Sequence, residues 1–221
     1  MKTKKILALL ISGVFATTMA SQGAVIYTVI EDTDTFRVVD TDDSGTGDVV
    51  QNSFLNAGNN VFDTAVVSSF EMTGFSSGAE IGNVDFSITR KNGGAGDPNL
   101  SLDVLRTSSS QTINPGDYEF VAAANLMTNF ADGGNGSYSL DASGQAALTT
   151  YLQSNWVEND YVFLRIRSGV IGPAPEDASY FFGGNSSQSD AQLTLTAVPE
   201  PSSTALLGLG GLALMLRRKR S

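Results

Sequence analysis

The sequence predicts an all-β domain, a sandwich or a barrel, and three observations carry that reading. Short runs in which apolar and polar residues alternate recur between residues 25 and 197, the period of strands with one buried face. Clusters of Gly, Asn, Asp and Ser separate those runs, as turns between short strands require. Within this span, apolar residues at helical spacing are confined to 141–156, so helix is the minority.

The chain begins with segments that serve targeting. Lys2, Lys4 and Lys5 precede an apolar stretch at 6–16 and a small, polar run to Ala24, the pattern of a secretory signal peptide. That stretch is too short to span comfortably a bilayer core of about 30 Å at about 1.5 Å per helical residue, and no polar face accompanies it. Small side chains at Thr18 and Ala20 place cleavage after Ala20, with Ala24 the alternative. The expected organisation is therefore a signal peptide at 1–20, one β domain at 21–197 and a tail at 198–221.

In order along the domain, strands are expected at 24–30, 35–39, 65–72, 84–89, 100–106, 161–167 and 192–197. In the sixth, Val162, Leu164 and Ile166 face one way and Phe163, Arg165 and Arg167 the other, predicting one side in the core and the other partly wet. Leu193 and Leu195 repeat that alternation in the last strand. Ala147, Leu148, Tyr151 and Leu152 predict one short helix across the end of the domain, with Asp141 or Ser143 capping it. Trp156 then packs over that end, a sugar-stacking platform being the alternative role. The Gly-rich stretches 92–97 and 132–136 read as turns or loops, because glycine and asparagine accept positive φ at little cost.

Charge and missing side chains restrict the chemistry. Residues 21–197 carry 22 acidic and 6 basic side chains, a formal charge of −16. Such a surface repels phosphate backbones, which argues against nucleic acid as a partner and leaves cations and weakly charged glycans. Solubility in salt is the plainer reading. With no cysteine there is neither a disulfide nor a thiol nucleophile, and with no histidine there is no imidazole for a serine triad or for the usual zinc sites.

The densest carboxylate cluster lies at 40–48. Asp40, Asp42, Ser44 and Asp48 place oxygen ligands near Gly45, which permits a sharp bend, so the loop is a candidate Ca²⁺ site. Against an EF-hand template, Gln51 stands where a bidentate Glu is needed, and flanking helices are absent from the pattern. An exposed acidic hairpin turn is the alternative. Paired carboxylates can hydrolyse glycosides, but nothing in the spacing of these acids singles out an acid and a nucleophile. Tyr118, Phe120, Tyr138, Tyr180, Phe181 and Phe182 fall near expected loops or strand ends, where they would either stack on sugars or fill the core. For the 180–182 run a buried edge is expected.

The tail combines three features in order. Val198, Pro199, Glu200 and Pro201 are followed by an uncharged apolar run at 205–216, then by Arg217, Arg218, Lys219 and Arg220, a basic stop. The apolar run falls below the roughly 17 to 25 residues expected of a spanning helix. This arrangement resembles the PEP-CTERM sorting signal of exosortase-bearing Gram-negative bacteria. The resemblance implies a short transmembrane helix held transiently in the inner membrane and recognition at Pro199, Glu200 and Pro201. It also implies removal of the tail by an exosortase and delivery to the cell surface or extracellular matrix.

A second resemblance covers much of the domain. Residues 63–90, 140–166 and 187–198 are similar in layout to DNRLRE-type, carbohydrate-module-like β-sandwiches, although the arginine-bearing signature of that family is missing. It implies a jelly-roll-like β-sandwich and a noncatalytic surface or adhesive role, and transfers no binding residue. The combined expectation is an exported, noncatalytic envelope or matrix protein, processed by signal peptidase and exosortase and associated with exopolysaccharide. A secreted carboxylate-dependent glycan hydrolase and a self-associating coat protein are the alternatives.

Overall fold

The computed structural model describes residues 26–31, 33–42, 44–51, 55–59, 62–73, 80–93, 99–168, 178–182 and 190–198. The expected signal peptide, Pro199, Glu200, Pro201, the apolar run and the basic stop lie outside the described residues. Among the described residues, no helix is long and apolar enough to cross a membrane.

The described chain is all-β with one α-helix. Its strands are β1 (Ile26–Glu31), β2 (Asp34–Asp40), β3 (Val49–Gln51), β4 (Asn56–Asn59), β5 (Asp63–Glu71), β6 (Glu80–Gly93), β7 (Leu100–Ser108), β8 (Ala124–Met127), β9 (Gly136–Ser139), β10 (Tyr161–Ser168), β11 (Ala178–Phe182) and β12 (Gln192–Val198). Helix α1 spans Ala142–Asn155. The strands form one sheet in the order β1-β12-β6-β11-β4-β5-β10-β7-β8, with β2 and β3 continuing from β5 and β9 pairing with β6. All pairings are antiparallel.

The sheet curls until its two halves face each other as a sandwich. Phe70 of β5 and Phe86 of β6 are separated by two intervening strands in the sheet, yet their rings meet edge-on at 6.0 Å. Register shifts within the β6–β11, β6–β12 and β7–β10 pairings supply local bends. Alternate residues from both halves fill the space between: Val66 and Phe70, Val84, Phe86 and Ile88, Val162, Leu164 and Ile166, Leu193 and Leu195. Burial of this apolar surface is the main favourable term in folding.

Helix α1 closes one end of this core. Asp141 caps it, its Oδ1 accepting from the Gly144 N–H at 2.8 Å, and Leu148 and Leu152 point inward. The helix also satisfies β6: Thr149 Oγ1 accepts from the Val84 N–H at 3.0 Å, and Gln153 Nε2 donates to the Ile81 carbonyl at 2.6 Å. At Gly144 any Cβ would come within 2.7 Å of the Leu126 carbonyl, so glycine is needed for the close approach to β8. Trp156 follows the last turn and packs half-buried against the core, the packing role expected of it.

The second face of β10 corrects the sequence expectation. Phe163 and Arg165 are fully buried, because residues 109–123 cross the outer side of β5, β10 and β7 and shut out water. Ile113 and Tyr118 from that segment join Val38, Ala65, Val67, Leu105 and Phe163 in a second apolar cluster. Three arginines hold the segment down. Arg165 Nη1 donates to the carbonyls of Asp117, Tyr118 and Phe120 at 3.1, 2.6 and 2.9 Å. Arg167 Nη1 also donates to the Tyr118 carbonyl, at 3.1 Å. Arg106 lies 4.2 Å from the Phe163 ring centroid and pairs with the Asp117 carboxylate.

Candidate functional site

The acidic loop grows out of the β2–β3 hairpin. Strand β2 ends at Asp40, and β3 returns with Val49 opposite Val39. Gly45 sits at φ +84°, the left-handed region the bend requires. Gly47 is crowded: a Cβ there would run into the Pro115 carbonyl and the Tyr118 side chain. Its N–H donates to Glu119 Oε2 at 3.0 Å, tying the hairpin to the 109–123 segment.

Asp40 is the keystone of this turn. It is fully buried, and its two carboxylate oxygens accept from the N–H groups of Asp42 (3.3 Å), Ser44 (3.2 Å) and Gly45 (2.6 Å). Asp48 Oδ2 accepts from both the N–H and the hydroxyl of Thr41, at 2.8 and 2.6 Å. Asp42 is exposed, and hydrogen bonds from Ser44, side chain first and backbone second, hold its carboxyl below the ordinary carboxylate range.

Behind the turn lies a group that the spacing of the sequence does not reveal. Asp63, the first residue of β5, stands opposite Asp40 in register and is 1% exposed. The buried Tyr118 phenol lies within electrostatic reach of Asp63 and Asp40. Burial first, then the negative charges of Asp63 and Asp40, push the Tyr118 phenol far above its usual range, with Arg167 pulling the other way. Asp63 is separated from the loop by β3 and β4, and Tyr118 comes from a third region, so only the fold unites them.

Of the residues expected to hold calcium, the structure gathers Asp40, Asp42 and Asp48. Each offers one carboxylate oxygen, and the three lie within 4.8 Å of one another, a hard-oxygen set of the kind Ca²⁺ takes. Ser44 lies on the same turn, but its hydroxyl is engaged with Thr46 Oγ1 at 2.6 Å. Gln51, at the place of a closing bidentate ligand, is turned to the Arg37 guanidinium. Much of the oxygen surface of Asp40 and Asp48 is thus already met by the protein's own donors.

Other acids and aromatics are drawn into structural roles. Asp103 pairs with Arg165 and accepts from Asn125 Nδ2 at 2.9 Å, and Asp117 is held by Arg106 and the Asn114 N–H. Tyr118, Tyr180 and Phe182 are buried, and Phe181 and Tyr138 are partly so. Arg90 lies over the Tyr180 ring at 3.4 Å. Phe120 remains 42% exposed beside Val121 at 85%.

The sorting motif adjoins the last strand: β12 ends at Val198, one residue before Pro199. Residues 197–220 match the family model of the PEP-CTERM protein-sorting motif. No curated protein matches the chain. The motif marks an exported protein processed at the membrane by an exosortase.

Proposed function

We propose that this exosortase-sorted chain delivers its sandwich to the cell surface or extracellular matrix as a noncatalytic module that associates with exopolysaccharide. The observation that carries the reading is the position of the motif, which begins within β12 itself. The cargo of the sorting step is then the whole sandwich, with signal peptidase acting on its other end.

The surface chemistry supports such a partner. A domain of formal charge −16 repels nucleic acid and other polyanions, while weakly charged glycans and cations meet no such barrier. The noncatalytic part rests on how the acids are used. Asp103 and Asp117 are paired with arginines, and Asp40 closes a turn with both of its oxygens. With neither histidine nor cysteine in the chain, carboxylates would have to carry any hydrolysis.

Retention of purified residues 21–197 on the producing organism's exopolysaccharide, with and without Ca²⁺, tests the proposal. Binding in either condition, with no release of reducing sugar ends, is the expected result. Passage of the domain unretained in both conditions, or hydrolysis of the polymer, overturns it.

A further inference from the structure

Strand β12 is held on both edges up to its last residues. Ala197 pairs with Ile26 of β1 on one side and Ile81 of β6 on the other, and Val198 pairs with Glu80. The match to the sorting motif starts at residue 197, so the first residues of the sorting element are part of the sheet. Upstream on the same strand, Leu193 and Leu195 are fully buried in the main core. Peeling β12 away would break two ladders and expose both leucines, which places its opening near the top of the stability range of the domain.

The β1–β12 register adds a second constraint. Ile26 and Ala197 stand at opposite ends of the domain's sequence, yet they are Cα partners. The first and last strands of the domain therefore meet at one corner of the sheet.

Building on the exosortase assignment, we propose that the tail is removed from the closed sandwich. Strand β12 stays between β1 and β6 through Val198, the scissile bond lies C-terminal to Val198, and the corner holding Ile26 and Ala197 faces the membrane during processing. Scission adds one water across the peptide bond, leaving a carboxylate on the mature chain and an α-amino group on the released tail.

The chain has no cysteine, so a pair introduced as Tyr27→Cys and Thr196→Cys has no competing thiols. These residues are directly opposed in register, and opposed antiparallel residues lie about 4.5 to 5.5 Å apart at Cα, within disulfide reach. The full-length precursor is produced in the exporting cell, and intact masses of the wild type, the pair and the single Tyr27→Cys variant are read without reduction. The wild type is expected to end at Val198 or beyond, and the disulfide-linked pair to lose its tail in the same yield as the single variant. A wild-type product ending before Val198, or linked chains that keep a tail the single variant loses, overturns this inference and leaves the exosortase assignment standing. A wild type that keeps its tail overturns both.

Discussion

Arg165 Nη2 donates to Asp103 Oδ2 at 2.8 Å, with the two side chains 0% and 7% exposed. Burial draws the Arg165 pKa down, and the hydrogen bond and charge of Asp103 oppose that shift. The same guanidinium gathers three carbonyls of the 109–123 segment, so this pair is where the outer face of β10 becomes a second core. Neither partner is dispensable by itself.

Replacing Asp103 with Ala leaves a buried guanidinium without its counter-charge and costs about 3 to 5 kcal/mol of stability. The double variant Asp103→Leu, Arg165→Met removes both charges but strands the carbonyls of Asp117 and Phe120, Arg167 still serving that of Tyr118, so it remains destabilised by about 1 to 3 kcal/mol. Urea denaturation midpoints measure both. A loss below about 1 kcal/mol for Asp103→Ala contradicts the role given to the pair.

Tyr118 predicts a loss of stability at alkaline pH. Its phenol is raised in the folded state by burial, then by Asp63 and Asp40, whereas an unfolded tyrosine titrates near its ordinary value of about 10. Below that pH both states keep the proton and stability is unaffected. Above it the unfolded chain gives up the proton while the folded chain retains it, so stability falls as pH rises. Denaturation midpoints between about pH 9 and pH 12 are expected to fall less steeply for Tyr118→Phe than for the wild type. Equal slopes would show that Tyr118 ionises as freely folded as unfolded.

Helix α1 makes a paired prediction. Asp141→Ala removes the cap on the Gly144 N–H and costs about 1 kcal/mol. Gly144→Ala inserts a better helix former, worth up to about 1 kcal/mol in an open helix, yet it is expected to destabilise because the Leu126 carbonyl blocks its Cβ. A stabilised Gly144→Ala variant would mean that α1 sits farther from β8 than described.

At the acidic hairpin, Asp40→Ala deprives the Asp42 and Gly45 N–H groups of their acceptor, while the Ser44 N–H keeps Asp42 Oδ1, and is expected to cost about 1 to 3 kcal/mol. Thermal midpoints with added Ca²⁺ and with a chelator address the cation directly. Calcium held by Asp40, Asp42 and Asp48 raises the wild-type midpoint and fails to raise that of Asp48→Asn. A midpoint indifferent to both additions leaves the loop a turn closed by its own donors.

All seven strands expected from alternation are present, and the helix runs from its expected cap at Asp141 to the residue before Trp156. The strands that alternation misses are of another kind. β3 has three residues, β4 reads NAGN, β8 ANLM and β9 GSYS, and each is extended because a neighbour offers a ladder. β11 holds Tyr180, Phe181 and Phe182, which signal burial without fixing a partner. The misjudged face of β10 has a similar cause. Arg165 looks like a surface residue in sequence because Asp103 and the 117–120 carbonyls that satisfy it arrive from distant segments. The acidic hairpin is legible because its carboxylates lie within nine residues of one another, whereas Asp63 joins them only through the fold.

The central claim is that an exosortase removes the tail at the sorting motif, and the mass of the exported protein tests it most directly. The wild type and a Pro199→Ala, Glu200→Ala, Pro201→Ala variant are recovered from the producing cell and its medium and their intact masses compared. The wild type is expected without its tail, and the variant exported but with residues 202–221 still attached. A wild type that keeps residues 202–221, or a variant that loses them as the wild type does, would contradict the account.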